Sequence, residues 1–217
     1  MITIVSLFVI AAVFRNVCTQ KNLGDFMSPT NMDALMRRTA LEQHNWKRYF
    51  LAGGYPFPHK QHVKYPTASD MNVLYYDIDL EDLAYEIASE CNVGTPNFNY
   101  VGSNNGTSKV DDFNSDYITK IIDDWWETAL KGGNLVNLTP SQENTPKIPF
   151  LQMANAKTNR LGCAFEICDD QFNREYVLFV CKYGTETVRI GNPIYTRGPP
   201  CGSCRNKCTF NKRLCAS

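Results

Sequence analysis

The sequence predicts an α+β fold, on three observations. Amphipathic helical stretches occupy the first two thirds of the chain, short apolar and β-branched runs follow Pro149, and cysteines crowd the second half. Helices first and strands last indicate helices packed on the faces of an antiparallel sheet rather than a βαβ alternation. At 217 residues, 43% hydrophobic and 12% aromatic, the chain fills one domain and is short for two. Lys+Arg and Asp+Glu both number 22, a balance that argues against an electrostatic nucleic-acid binder or a generally basic membrane-surface protein.

Residues 1–19 read as a secretory signal. Ile2 to Phe14 is almost continuously apolar, but at about 13 residues it is too short to cross a hydrocarbon core of ~30 Å as a helix. Val17 and Thr19 serve at the −3 and −1 positions of a cut before Gln20, which removes Cys18. Of nine cysteines eight then remain, an even number suited to four disulfides in an oxidising compartment. No later stretch is apolar enough to anchor the chain, so the expectation is a soluble exported product with no membrane anchor and no nucleic-acid partner.

The mature domain is expected over 20–197. Helix one is predicted from Thr30 to Leu51, opened by a Thr30–Asp33 capping box, carried by Leu35, Met36, Ala40 and Leu41, and stopped by Gly53-Gly54. The Pro-rich stretch Tyr55 to Ala68 reads as loop; His59 and His62 lie in it without a ligand partner at metal spacing. Helix two is predicted from Asp79 to Cys91, with Leu80, Leu83, Ala84, Ile87, Ala88 and Cys91 on one stripe and acidic residues favoured in its first turn by the helix dipole. Helix three spans Ser115 to Leu130 with Ile118, Ile121, Ile122, Trp125 and Ala129 inward, ended by Gly132-Gly133. Leu161–Cys168 and Tyr176–Tyr183 form a hairpin around the turn Asp169 to Arg174, and Thr187–Tyr195 is a third, edge-strand candidate broken by Gly191 and Pro193.

Residues 198–217 form a separate Cys-rich tail, in which Cys201-x2-Cys204-x3-Cys208-x6-Cys215 has too few apolar residues for a core of its own. Two cross-links or a four-cysteine zinc knuckle both fit that spacing; export and the absence of His from the tail favour the cross-links. Asn105-Gly106-Thr107 and Asn137-Leu138-Thr139 are glycosylation sequons in stretches that read as loop.

Together these residues resemble the CAP superfamily of cysteine-rich secretory, antigen-5 and pathogenesis-related proteins, in its nematode venom-allergen-like, Ancylostoma-secreted form. The anchors run from about Asn31 to Cys215: Glu42-Gln43-His44-Asn45 with Arg48, Trp125-Trp126, Gln152-Met153-Ala154, Gly162-Cys163-Ala164, Val180-Cys181-Lys182-Tyr183, Gly191-Asn192-Pro193-Ile194-Tyr195 and Gly198-Pro199-Pro200-Cys201. The resemblance implies a three-layer α-β-α sandwich, disulfide-stabilised, with a hinge-like C-terminal tail. It also implies the pairings Cys91–Cys163, Cys168–Cys181, Cys201–Cys208 and Cys204–Cys215. The ion-channel regulatory domain that follows the hinge in some members has no counterpart in this sequence.

Many CAP domains hold a divalent metal in a central cavity with two His and two Glu, and this sequence departs at all four positions. Pro149 stands for the first His in Pro149-Phe150-Leu151-Gln152, Ser103 for a Glu in Gly102-Ser103-Asn104, and Thr128 for the Glu after Trp125; the second His has no counterpart between Asn92 and Val101. No cofactor is therefore expected. His44 is the remaining base, and a structural hydrogen-bonding role is expected for it. The expectation is a secreted, non-enzymatic host-interaction protein, an antagonist of a host cell-surface receptor such as a platelet integrin, inhibiting platelet adhesion or aggregation as some single-domain hookworm members do. There is no Arg-Gly-Asp, and Leu23-Gly24-Asp25 reads as leader. A sterol or fatty-acid carrier is the alternative, and a hydrolase the least supported reading, since no base and nucleophile can be paired.

Overall fold

The computed structural model describes residues 30–57, 64–95, 98, 102–184 and 186–216. The signal segment 1–19, Leu23-Gly24-Asp25, His59 and His62 lie outside the described residues.

The chain forms α1 (Ala34–Ala52), β1 (Tyr75–Tyr76), α2 (Ile78–Ser89), β2 (Ser103–Lys109), α3 (Ser115–Glu127), α4 (Ile148–Ala154), β3 (Arg160–Asp169), β4 (Glu175–Gly184), β5 (Cys208–Thr209) and β6 (Leu214–Cys215). The central sheet has the order β1-β3-β4-β2, with β1 parallel to β3 and the other pairs antiparallel. One sheet face packs on α1, α3 and α4 through a core including Ile118, Ile122, Trp125, Phe150, Leu161 and Phe179. The opposite face packs on α2, where Ala84 and Ala88 meet Ala164, Leu178 and Val180. The result is a three-layer α-β-α sandwich.

α1 starts later than its sequence pattern predicts. Asp33 is the N-cap, accepting the Met36 N–H at 2.7 Å. Thr30 is buried and bonded to Glu81 of α2, so it ties two helices together rather than capping one. Glu81 also receives a bidentate pair from Arg37 (2.7 Å twice) and the Tyr76 hydroxyl at 2.6 Å. The buried face of α1 is largely polar, with His44, Asn45 and Arg48, whereas Leu35 is exposed. α1 ends where Gly54, at φ 68°, donates its N–H to Leu51 at 2.9 Å.

Two strand expectations are corrected. Thr187–Tyr195 is not a strand: the Val188 N–H goes to Gln152 Oε1, the Ile194 N–H to Leu138, and Gly191 at φ 83° and Pro193 break any ladder. The edge strand beside β4 is β2 instead, whose Ser-Asn-Asn-Gly-Thr-Ser-Lys sequence has none of the apolar alternation that announces a strand. The sequon at Asn105 therefore lies in a strand rather than a loop, with Asn105 Nδ2 donating to the Gly94 carbonyl at 3.3 Å, while Asn137 sits exposed in a turn at φ 51°.

The disulfide frame is also corrected. The pairs are Cys91–Cys168 and Cys163–Cys181, not Cys91–Cys163 and Cys168–Cys181. Strand register decides this: Cys163 and Cys181 face each other across β3 and β4 with Cα atoms 4.0 Å apart, whereas Cys168 pairs in register with Tyr176. Cys91, just past α2, then meets Cys168 at the far end of β3 with Cα atoms 5.6 Å apart. Non-reducing proteolytic mapping is expected to yield the Cys91 peptide linked to the Cys168 peptide; a Cys91–Cys163 species would contradict the register. Loop closure makes Cys91–Cys168 the stronger of the two cross-links, at about 4 kcal/mol against about 3 for the shorter loop.

The tail is closed by Cys201–Cys208 and Cys204–Cys215 and docks on the domain. Cys215 bonds Met71 and Val73 through its backbone (2.8 and 2.9 Å), and Leu214 enters the main core.

Candidate functional site

Between α1, α3, α4 and the sheet lies a buried polar cluster that includes His44, Asn104 and Thr128. α1 carries the only described histidine, His44, completely buried. Its Nδ1 lies 2.7 Å from the Ala40 carbonyl, which only accepts, so Nδ1 carries the proton. Its Nε2 then accepts from the Tyr183 hydroxyl at 2.8 Å. Tyr183 in turn accepts from Asn104 Nδ2 at 3.0 Å, and the same amide group donates to the Pro149 carbonyl at 3.0 Å. Every hydrogen in this chain has one direction, from β2 through β4 to α1.

The expected cavity positions separate on inspection. Pro149 opens α4, and only its carbonyl is used. Thr128 is buried where α3 passes into a 3-10 turn; its hydroxyl donates to Trp125 at 2.6 Å and accepts the Phe150 N–H at 3.0 Å. Ser103 is corrected: in register with Lys182 it lies on the α2 face of the sheet, whereas Asn104, opposite Cys181, turns toward Pro149. Asn104 and Tyr183 are thus the site residues that sequence reasoning missed. Tyr183 was visible as the last residue of a family motif, and Asn104 needed only a one-residue change of strand parity.

These groups do not fit a divalent cation. Asn104, Thr128 and Pro149 bring neither imidazole nor carboxylate, and both His44 nitrogens are engaged. Among the described residues no three His, Cys, Asp or Glu side chains converge as metal donors. Asn104 Oδ1 is buried and without a hydrogen-bond partner among the described residues.

The same network removes His44 as a general base. Burial lowers its pKa to about 4, and the positive charges of Arg48 and Lys47 push the same way. The folded protein therefore resists the proton that the unfolded chain takes up below the ordinary imidazole value of 6.5, and stability falls as pH drops between 6.5 and about 4. The loss from this group is about 3 kcal/mol. Glu81, whose pairing with Arg37, Thr30 and Tyr76 outweighs burial and lowers its pKa, loses stability in the same direction further into acid. Urea unfolding at pH 7, 5.5 and 4.5 checks this; a His44→Gln variant is less stable at pH 7 but has a flatter pH profile, and an equally steep one would remove His44 as the cause.

Two of the surface hollows among the described residues differ sharply in character. An apolar one of about 240 Å³ between α1 and α3 is lined by Lys47, Phe50, Leu51, Tyr55, Pro56, Phe57 and Trp126. A polar cleft of about 510 Å³ between domain and tail includes Asp70, Lys157, Glu186 and Arg205. No helix among the described residues is long and apolar enough to cross a membrane.

A three-layer sandwich held by four disulfides, its polar centre tied by neutral hydrogen bonds, defines a cross-linked α-β-α scaffold. The chain belongs to the cysteine-rich secretory protein (CAP) family, whose model matches residues 41–183. It is 29% identical over 204 residues to Ancylostoma secreted protein of Ancylostoma caninum, an alignment covering 88% of this chain and 46% of that relative. Among solved structures it is similar to zinc-containing NaASP2, with TM-score 0.71, 26% identity, and coverage of 87% of this chain and 98% of that one. It also shares the fold of hookworm platelet inhibitor, with TM-score 0.64, 23% identity, and coverage of 85% and 92%.

Proposed function

We propose that this protein is exported by a parasite and acts without catalysis, by binding a host cell-surface protein, with a platelet integrin as the receptor to test first. The observation that carries the reading is the directed network Asn104–Tyr183–His44 with the Pro149 carbonyl, beside which Thr128 bonds Trp125 and Phe150, so that these central polar groups serve internal bonding. With no ionisable group free there, a rigid cross-linked frame is left to present its surface. The secreted and platelet-inhibiting relatives among its neighbours agree with this direction. The test is binding to purified platelet integrins together with aggregation of intact platelets. The expected result is saturable binding and reduced aggregation; no effect on either at micromolar protein overturns the reading.

A second reading, a sterol or fatty-acid carrier, is favoured by the apolar hollow between α1 and α3. Its volume of about 240 Å³ falls below the roughly 300–1,000 Å³ of typical ligand pockets, which ranks it second. Delipidated protein that takes up labelled palmitate or cholesterol stoichiometrically would promote it.

A further inference from the structure

The zero net charge of the chain conceals two separated patches of opposite sign. Residues 77–90 hold Asp77, Asp79, Glu81, Asp82, Glu86 and Glu90 with no Lys or Arg. Residues 187–217 hold Arg189, Arg197, Arg205, Lys207, Lys212 and Arg213 with no Asp or Glu. α2 covers one sheet face, and the tail docks on the opposite, α1 side, so the two patches do not neutralise each other across a contact.

The basic side is built to stay unpaired. Arg189, Arg197, Arg205, Lys207 and Lys212 are exposed and make no ion pair among the described residues, unlike Arg37, Lys47, Lys157 and Arg174. The carboxylates that line the cleft with Arg205 have other partners: Asp70 accepts the Thr196 N–H at 2.9 Å, and Glu186 pairs with Lys157 at 3.3 Å. Cys201–Cys208 and Cys204–Cys215 fix the spacing of the hairpin cations in advance, so little ordering entropy is lost when they meet a ligand.

An aromatic strip adjoins them. Phe210, at the hairpin tip, packs 5.2 Å from Trp46 of α1. The Arg213 guanidinium lies over Tyr49 and Tyr55 at 4.3 and 4.8 Å and donates to the Tyr55 hydroxyl at 2.9 Å. Trp46, Phe50 and Tyr55 remain 39%, 45% and 45% exposed. The rings brace one another at 5–6 Å, so they present fixed faces and edges and are not free to plunge into a bilayer.

We propose that the basic hairpin and the aromatic face of α1 form one docking surface for a sulfated polysaccharide chain. Sulfates pair with the fixed cations, and the C–H faces of sugar rings pack on the aromatic strip. Charge complementarity selects a polyanion, and the mutually braced rings, with Trp46 and Phe50 stacked, select a sugar over a lipid surface. The proposal stands whether or not the receptor reading holds.

The probe is heparin, by affinity chromatography and titration with the full-length secreted protein. Wild type is expected to be retained at physiological ionic strength and released by added salt. The triple variant Arg205→Gln/Lys207→Gln/Lys212→Gln is expected to bind at least about tenfold more weakly. The triple Lys109→Gln/Lys120→Gln/Lys131→Gln removes equal charge elsewhere and is expected to keep wild-type retention. Should the first triple fail to fold, Lys207→Gln/Lys212→Gln reads the same effect at smaller size. Wild type that passes through heparin at physiological ionic strength, equal losses in both triples, or binding to phosphatidylserine vesicles without binding to heparin would each overturn the proposal.

Discussion

Replacing Arg48 by Met is expected to lower the unfolding free energy by about 4 kcal/mol, a large fraction of the stability of a domain this size. Arg48 is fully buried, and its guanidinium donates to five backbone carbonyls: Asn72 (2.9 Å), Met153 (2.8 Å), Asn155 (2.9 Å), Ala156 (3.3 Å) and Thr158 (3.0 Å). The planar fork of Arg spans this set, whereas a Lys ammonium is a point donor, so Arg48→Lys is expected to recover only part of the loss. Asn155 and Ala156 keep other backbone donors, from Thr158 and Asn72. The carbonyls of Asn72, Met153 and Thr158 are left without a donor among the described residues, and each costs roughly 1–3 kcal/mol when buried and unpaired. Because Asn72 and Val73 adjoin Cys215, the tail should loosen too. Urea unfolding, with hydrogen exchange over residues 201–216, measures both effects; a Met variant within about 1 kcal/mol of wild type would refute the pinning role.

Gly162→Ala is expected to cost about 3 kcal/mol, near the upper end for overpacking. A Cβ at Gly162 would stand 2.1 Å from Glu81 N, 2.4 Å from Leu80 C and 2.6 Å from Asp77 O. All three are backbone atoms in or beside the first turn of α2, so no side chain can swing aside. The helix must lift, straining the Asp77 N–H bond to Leu161 (2.9 Å) and the Glu81 cluster that ties α2 to α1. Gly184→Ala is the comparison: the added Cβ meets the flexible Leu80 Cδ1 at 2.7 Å and Arg160 Cβ at 3.0 Å but no backbone atom, and a smaller loss of about 1–2 kcal/mol is expected. Equal losses at the two sites would show that backbone contact at Gly162 is not the cause.

How much was legible in the sequence varied with how locally each feature is determined. α3 was read nearly to its ends because its apolar spacing matches its buried face, Ile118, Ile121, Ile122, Trp125 and Trp126. The β3–β4 hairpin was equally visible, its turn held by Asp170 accepting the Phe172 and Arg174 N–H groups. α1 was readable as a helix but not in what it buries, since His44, Asn45 and Arg48 are polar residues whose partners lie far along the chain. β2 escaped because an edge strand packed on one face by Gly106 and Asn104 needs no apolar alternation.

The sequence by itself determined the class of protein: the succession of α1, α2 and α3, the β3–β4 hairpin, the count of cysteines and the family motifs are all properties of neighbours along the chain. It also showed that Pro149 and Thr128 bring neither imidazole nor carboxylate, which holds whatever their placement. Tertiary structure decided which cysteines join, that Asn104 rather than Ser103 faces the pocket, and that a neutral chain carries opposed charged faces. Each depends on strand register or on which layer a segment docks against, and a shift of one residue in register reverses every side chain while leaving composition and local pattern unchanged.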